Sequence, residues 1–440
     1  MRRLIVSILL GSLVSTLCAP ALAQQEIVLW HAMDGSRGRE LETLVQRYNA
    51  SQTQVRVALV YKGSYEETMK EALAAEPTGQ GPTIAQIYEL GTADMMYAGH
   101  AVRPLWQVFQ EAGERIDAKT FLPAVASYFA DQHGNLQALP FNVSTPILFY
   151  NKDAFRKAKL DPENPPKTWY EMPKAMGALL EAGYSCAYTT AWPAWIQVEN
   201  MSTWHNRDFA TKDNGLAGLD TSLVFNTHLM MRHISMLASW AQAGYFTYSG
   251  RGAGGERRFA RGECAMVTSA SASYAELRSQ ARFDFGTAQL PYYDDIKGAP
   301  HHSLIGGGGL WVMGGRKPAE YRAAARFLSW LARPEVQADW SQVTGYVPLT
   351  RAAYEHIAQS GFYKANPGHE IAVKQLLLNA PTQESRGIRL GDYPEIRAIL
   401  EQELEQAWDN KVPPKLALDR AAERGNQLLR KFESQHRQKR

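Results

Sequence analysis

Long apolar runs are scarce in this chain: beyond the first two dozen residues no stretch reaches the roughly 18 apolar residues a membrane span requires, so a bilayer-embedded body is excluded. Charge of one sign is scarce too. Forty-seven Lys and Arg stand against 44 Asp and Glu, a net charge of +3, which offers no electrostatic footprint for nucleic acid. Signatures of catalysis are missing as well. There is no His-Glu-x-x-His, no Gly-x-Ser-x-Gly and no Gly-x-x-x-x-Gly-Lys-Ser/Thr, so metalloprotease, serine hydrolase and nucleoside-triphosphatase readings lack support. His301 and His302 are adjacent on an extended segment and point to opposite faces, which rarely lets two imidazoles share a metal. No cofactor or metal is implied. Neither an internal repeat nor a low-complexity tract interrupts the chain.

What is present begins with an export leader. Arg2 and Arg3 precede an apolar core from Leu4 to Leu17, and Ala21-Leu22-Ala23 gives the small-x-small pattern of a signal-peptidase site. Cleavage near Ala23 leaves 417 of the 440 residues, removes two arginines and lowers the net charge to +1. Leu17, Thr16 and Ser15 before Cys18 do not suit a lipid anchor, so a freely soluble, exported, monomeric protein is expected in the periplasm. Two of three cysteines remain, Cys186 and Cys264. In an oxidising compartment one bridge between them is worth roughly 4 kcal/mol in the chain-entropy model. Two small buried side chains that never meet are the alternative, and the spacing leaves both open.

A mature chain of this length exceeds what one hydrophobic core usually organises, so at least two lobes are expected. Ile27–Trp30, Val55–Tyr61 and Thr83–Tyr88 read as strands, with helical segments after the first and at Tyr65–Ala75. That alternation predicts a parallel sheet whose carboxyl ends face a crevice. Tyr65 and Glu89 lie just past such ends; Glu89 reads equally as a solvated helix-start acid. Leu139–Phe155 organises the rest. Pro146 holds Thr145 extended, Ser144 and Thr145 sit between apolar flanks, and the run reads as a strand crossing from one lobe to the other. Ser303–Val312, with four consecutive glycines, reads as the return crossing, and Thr344–Leu349 as a third. The fold class expected is therefore α/β, a two-lobed clamshell with three inter-lobe crossings. Its bounds are signal 1–23, lobe 1 at 24–142 and 304–345, and lobe 2 at 143–303 and 346–440. The basic end, Lys431 to Arg440, reads as a helix fraying into solvent.

Three features point to a ligand. Trp192 and Trp195 stand about one turn apart, with Trp204 nearby, as a stacking wall or as core anchors. Val267–Ser273 ends a strand with alternating hydroxyls. Arg397 follows Pro394 near the start of an apolar-faced helix, where an anion would suit both the guanidinium and the free N–H groups. Pairing with Glu401 at helical spacing is the plainer alternative.

The same residues carry a resemblance. Trp30-His31, Tyr61-Lys62-Gly63-Ser64-Tyr65, Tyr88-Glu89-Leu90-Gly91-Thr92, Pro140-Phe141-Asn142 with Ser144-Thr145-Pro146, and Trp195-Ile196-Gln197 match in the first half. Gly306-Gly307, Leu310-Trp311-Val312-Met313, Thr344-Gly345-Tyr346, Leu390-Gly391, Arg397 and Glu423–Leu429 match in the second. In these, and over essentially the whole mature chain, it resembles the glycerol-3-phosphate-binding family of periplasmic solute-binding proteins, which feed ATP-driven (ABC) importers. The resemblance implies that Tyr65, Ser144, Gly307, Tyr346 and Arg397 hold a ligand phosphate, that Glu89 accepts from glycerol hydroxyls, and that Trp192 and Trp195 wall the pocket. One position departs: Ala270 stands where the family has a contacting serine, flanked by Ser269 and Ser271, and Ser271 is retained as the candidate. Glycerol-3-phosphate and glycerophosphocholine are the ligands implied, and a permease with a separate ATPase the partner. A binder of neutral sugars with the same fold, or a periplasmic glycerophosphodiesterase, are the competing readings.

Overall fold

The structure is a computed structural model describing residues 24–437; the leader at 1–23 and the final three residues lie outside the described range. Two sheets organise it. The first contains β1 (Gln25–His31), β2 (Val55–Tyr61), β3 (Ile84–Tyr88), β4 (Val102–Arg103), β5 (Leu139–Ser144) and β10 (Gly306–Met313); the second contains β6 (Pro146–Asn151), β7 (Cys186–Thr190), β8 (Cys264–Ala270) and β9 (Phe285–Ala288). In the first, β2, β1 and β3 are parallel, as the strand–helix alternation predicts. The sheet is nevertheless mixed. β10 returns from the other lobe and runs antiparallel to β3, β4 and β5.

Local chemistry explains the element ends. Ser64 caps the Tyr65–Ala75 helix by accepting from Glu67 N–H while the Glu67 carboxylate accepts from Ser64 N–H, a reciprocal cap. Asn151 closes β6 and starts the next helix by accepting from Ala154 N–H. β2 thus ends toward the inter-lobe boundary, whereas β6 starts at that boundary with Pro146 and runs away from it to Asn151.

Cys186 and Cys264 are directly paired in the parallel register of β7 and β8 and are bridged. The bond lies inside lobe 2, fully buried.

The first crossing is as short as a chain allows: Ser144 ends β5 in one sheet and Pro146 begins β6 in the other. The second runs from β9 to β10. The third leaves later than Thr344–Leu349, because Val347 N–H donates to Val143 O and Thr350 pairs with Phe121, holding this backbone against lobe 1. The chain then reaches the Pro367–Leu377 helix, which packs on β6 and β9. Gln375 on that helix joins the connections. Its Nε2 donates to Pro146 O at 2.8 Å and to Ser303 Oγ at 2.9 Å, and its Oε1 accepts from Leu290 N–H at 2.7 Å. A wholly buried amide that satisfies the first and second crossings and is itself carried by the chain of the third fixes their relative path.

The Tyr393–Trp408 and Pro414–His436 helices pack on each other and on His228–Gln242. Within the described part of the basic end the helix runs to His436. Phe432 is buried beside Tyr97 and over Gly391, where a Cβ would collide with its ring.

Candidate functional site

At the carboxyl ends of β2 and β3, Tyr65 stacks on Tyr88 with ring centroids 5.6 Å apart and planes 3° from parallel. A relay of amides orients its hydroxyl: Gln86 Nε2 donates to Asn142 Oδ1 at 2.9 Å, and Asn142 Nδ2 donates to Tyr65 Oη at 2.7 Å. Since Tyr65 accepts from Asn142, its own proton remains to donate elsewhere. Burial, followed by the neighbouring Tyr346, pushes its phenol well above the ordinary range, so it stays a neutral donor.

Glu89 follows β3 directly and is buried rather than solvated. One oxygen, Oε2, accepts from Gly307 N–H at 3.1 Å; the other receives Arg397 Nη1 at 3.0 Å. Burial raises its pKa and Arg397 opposes that rise. Gly307 takes φ +108°, a conformation glycine alone adopts without strain, and a Cβ there would run into the Asn142 carbonyl. Gly306 pairs with Ser144 across β10 and β5, and a Cβ on it would meet Trp195 Cζ2 at 2.6 Å. The glycine run is therefore a place of close approach, where the Trp195 indole of lobe 2 lies on the backbone of lobe 1.

Arg397 is not a surface residue and does not hydrogen-bond to Glu401. Its Nε and Nη2 fork onto Glu199 at 2.7 and 2.5 Å, in addition to the Glu89 contact, and it lies 5.5 Å from the Tyr393 ring. Side-chain exposure is 14% for Arg397, 8% for Glu89 and 1% for Glu199. With its fork on Glu199, a second bidentate partner would have to break that pair. Glu199 was not among the residues read from sequence. The available signal was an acid and two amides, Gln197, Glu199 and Asn200, in a segment whose other side chains are apolar.

On the facing edge of lobe 2, Trp192 is 41% exposed and Trp195 5%. Trp195 Nε1 is buried and without a hydrogen-bond partner. Trp204 is a core anchor, donating to Leu290 O. Ser271 is occupied by the hinge: its Oγ accepts from Thr145 N–H at 3.3 Å and its own N–H donates to Thr145 O at 2.8 Å. Ala270 pairs with Pro146 at the start of β6. Tyr346 stacks on Trp340, which stacks on Phe141. Arg37, also missed from sequence, comes from the first turn of the Gly35–Ser51 helix. Tyr346 first, then Glu256 and Tyr65, hold its guanidinium in the charged form. Its ion pair with Glu276 of lobe 2, at 3.6 Å, spans the two lobes.

The structure thus gathers Glu89, Gly307 and Arg397 through direct contacts, with Tyr65, Ser144, Trp195, Tyr346 and Arg37 beside them. A surface cavity of about 940 Å³ lies elsewhere, lined by Trp106, Phe121, His133, Arg386 and Arg389 among others. No His, Cys, Asp and Glu cluster suited to a metal occurs among the described residues, and no helix among them is long and apolar enough to cross a membrane.

Comparison with known proteins gives a consistent picture. Residues 43–371 match the model for bacterial extracellular solute-binding proteins. The chain is 47% identical over 416 residues to the sn-glycerol-3-phosphate-binding periplasmic protein UgpB of Pectobacterium atrosepticum, covering 94% of each chain. It is 45% identical over 423 residues, 96% of each, to that of Yersinia pseudotuberculosis. Among solved structures, UgpB from Mycobacterium tuberculosis in complex with glycerophosphocholine superposes with a TM-score of 0.79 at 20% identity, covering 93% of this chain and 99% of that one. The cyclic alpha-maltosyl-1,6-maltose binding protein of Arthrobacter globiformis gives 0.75 at 24%, covering 92% and 99%. At such identities these two speak for the fold.

Proposed function

This chain belongs to the bacterial extracellular solute-binding protein family, and we propose that it captures glycerol-3-phosphate and glycerophosphodiesters between its lobes for delivery to an ABC importer. It is exported and acts in the periplasm. The observation that carries the reading is convergence: Tyr65, Glu89, Ser144, Gly307, Tyr346 and Arg397 come from six separate segments and meet where the crossings join the two sheets.

Each group has a role its chemistry permits. Tyr65 and Ser144 donate hydroxyl protons to phosphate oxygens, and Tyr346 with Arg37 supplies the neighbouring phenol and guanidinium. Arg397 holds Glu89 in place for ligand hydroxyls and opposes the rise in its pKa that burial causes. Trp195 closes one wall over the glycine backbone. Because the site binds and releases its ligand unchanged, glycerophosphocholine incubated with the protein is recovered intact.

One observation favours a second reading. Arg397 is already balanced by Glu89 and Glu199, so it needs no ligand anion, and a neutral sugar would leave it satisfied. Arg37, whose one ion pair among the described residues is loose, supports the anionic ligand instead. Calorimetry with glycerol-3-phosphate, glycerophosphocholine and maltose decides between them: the first two saturate the protein at one site and maltose gives no heat, whereas saturable binding of maltose alone would establish the sugar reading.

A further inference from the structure

The surface cavity of about 940 Å³ carries a charge that no carboxylate among the described residues pairs. Arg389 lines it and is only 9% exposed. Its Nη2 donates to Tyr128 O at 3.1 Å and to Ala130 O at 2.6 Å, at the carboxyl end of the Pro123–Phe129 helix, and its Nε is buried without a hydrogen-bond partner. Two carbonyls satisfy N–H groups, and a helix end offers a fraction of a charge; neither is a counter-ion. Arginine is almost never buried unless paired. Burial pulls its pKa down to about 10, with Tyr128, Tyr97 and Asp131 opposing the fall and Arg386 adding to it, so the side chain is still a cation at neutral pH.

The carboxylates that line the same cavity are engaged elsewhere. Asp131 Oδ1 accepts from His133 and Asn135 N–H, its Oδ2 accepts from Asn135 Nδ2 and Gln137 Nε2, and Asp117 Oδ1 accepts from Lys119 N–H. Asp213 is paired with Arg386 through Oδ2 and Nη2, while Arg386 Nε is buried and unpartnered. The wall that carries both arginines is fixed. Lys212, Asp213 and Asn214 are all left-handed, with φ of 57°, 54° and 53°. Asn214 secures that turn: its Oδ1 accepts from Phe209 N–H at 2.9 Å and Ala210 N–H at 2.8 Å, its Nδ2 donates to Glu384 O at 2.8 Å, and its carbonyl accepts from Arg389 N–H at 2.9 Å. Lobe 1 grips the same wall, with Ser127 Oγ donating to Arg386 O at 2.6 Å and Gln132 Nε2 to Leu216 O at 3.0 Å. Arg389 is therefore held by backbone and side chain where solvation is poor, and its counter-charge has to come to it.

We propose that this cavity is a second anion site, separate from the residues gathered around Arg397, in which an oxyanion of the phosphate class supplies the counter-charge that Arg389 lacks and competes with Asp213 for Arg386. Guanidiniums suit such an ion because their N–H groups match its oxygens. The competition gives the site a signature: removing Arg386 and removing the charge of Asp213 act in opposite directions.

The test follows the phosphorus NMR line of inorganic phosphate titrated with the mature protein, in the presence of excess glycerophosphocholine to occupy the inter-lobe cleft. Wild type broadens the line saturably. Arg386→Gln weakens phosphate binding about tenfold or more, the loss of one charge-assisted contact. Asp213→Asn, at a left-handed position that asparagine adopts readily, releases Arg386 from its internal partner and tightens phosphate binding about threefold or more. Far-UV circular dichroism confirms that each variant is folded, and Asp213→Asn decides the matter alone if Arg386→Gln does not fold. No broadening by wild type with phosphate on the order of 10 mM overturns the site. So does phosphate bound as tightly by Arg386→Gln as by wild type, or more weakly by Asp213→Asn than by wild type.

Discussion

Replacing Arg397 by alanine removes the guanidinium that pairs with both Glu199 and Glu89, whose side chains are 1% and 8% exposed. Both carboxylates then lose their hydrogen-bonded counter-charge, Glu199 two bonds and Glu89 one. Removing one partner of a buried ion pair costs about 3–5 kcal/mol because the other charge is left uncompensated. Against a total stability on the order of 5–15 kcal/mol, that is a large share. Without Arg397 nothing of its strength opposes the burial that raises the Glu89 pKa, so the loss shrinks at low pH. Urea unfolding of ligand-free wild type and Arg397→Ala at pH 7.5 and at pH 5 reads both effects. A double variant, Arg397→Ala with Glu199→Gln, recovers part of the loss at pH 7.5, because it removes the orphaned charge itself. Arg397→Lys keeps a charge but not the fork, and lies between. Were Arg397→Ala to unfold within about 1 kcal/mol of wild type at pH 7.5, the assignment of Arg397 to charge balance would fail.

Thiol titration of the denatured, unreduced mature protein finds no free thiol, and Cys186→Ser with Cys264→Ser lowers stability by about 4 kcal/mol, the chain-entropy value for a loop of 78 residues. Asp94 is pushed up to about 7 by burial, with Asp392 N–H its main opposing contact. A carboxyl raised in the folded state favours folding at low pH, so its contribution is lost as pH rises from about 4 through about 7; Asp94→Asn flattens that decline in urea unfolding followed across pH. Gln375→Leu strands the Leu290 N–H and the Pro146 carbonyl in the hinge and costs about 2–4 kcal/mol in the same assay, whereas a change under about 0.5 kcal/mol would mean that the crossings are braced elsewhere.

Much of the fold was legible because the deciding signals are local. The Tyr65–Ala75 helix was read with its observed bounds, since apolar spacing acts within a few residues of chain. The crossing at Ser144–Pro146 was legible for the same reason. What sequence could not give was pairing at a distance. Nothing local in Arg397 says that its partners are 198 and 308 residues away, whereas Glu401, its helical neighbour, was visible and was not the partner. The antiparallel entry of β10 into a parallel sheet depends on where the chain re-enters lobe 1. The Cys186–Cys264 bridge depends on a strand register. Ser271 Oγ accepts from the Thr145 N–H, 126 residues away, a contact that nothing local announces. Arg37 and Glu256 sit in segments rich in glycine and charge, where a solvated side chain is the ordinary expectation.

The most direct test of the account is a crystal structure of the mature chain grown with glycerol-3-phosphate. The phosphate is expected between the two sheets, within hydrogen-bonding distance of Tyr65 Oη and Ser144 Oγ and beside Tyr346 and Arg37, with glycerol hydroxyls toward Glu89. Density for the ligand anywhere else, such as the cavity beside Arg386 and Arg389, with the inter-lobe site holding none, would contradict it.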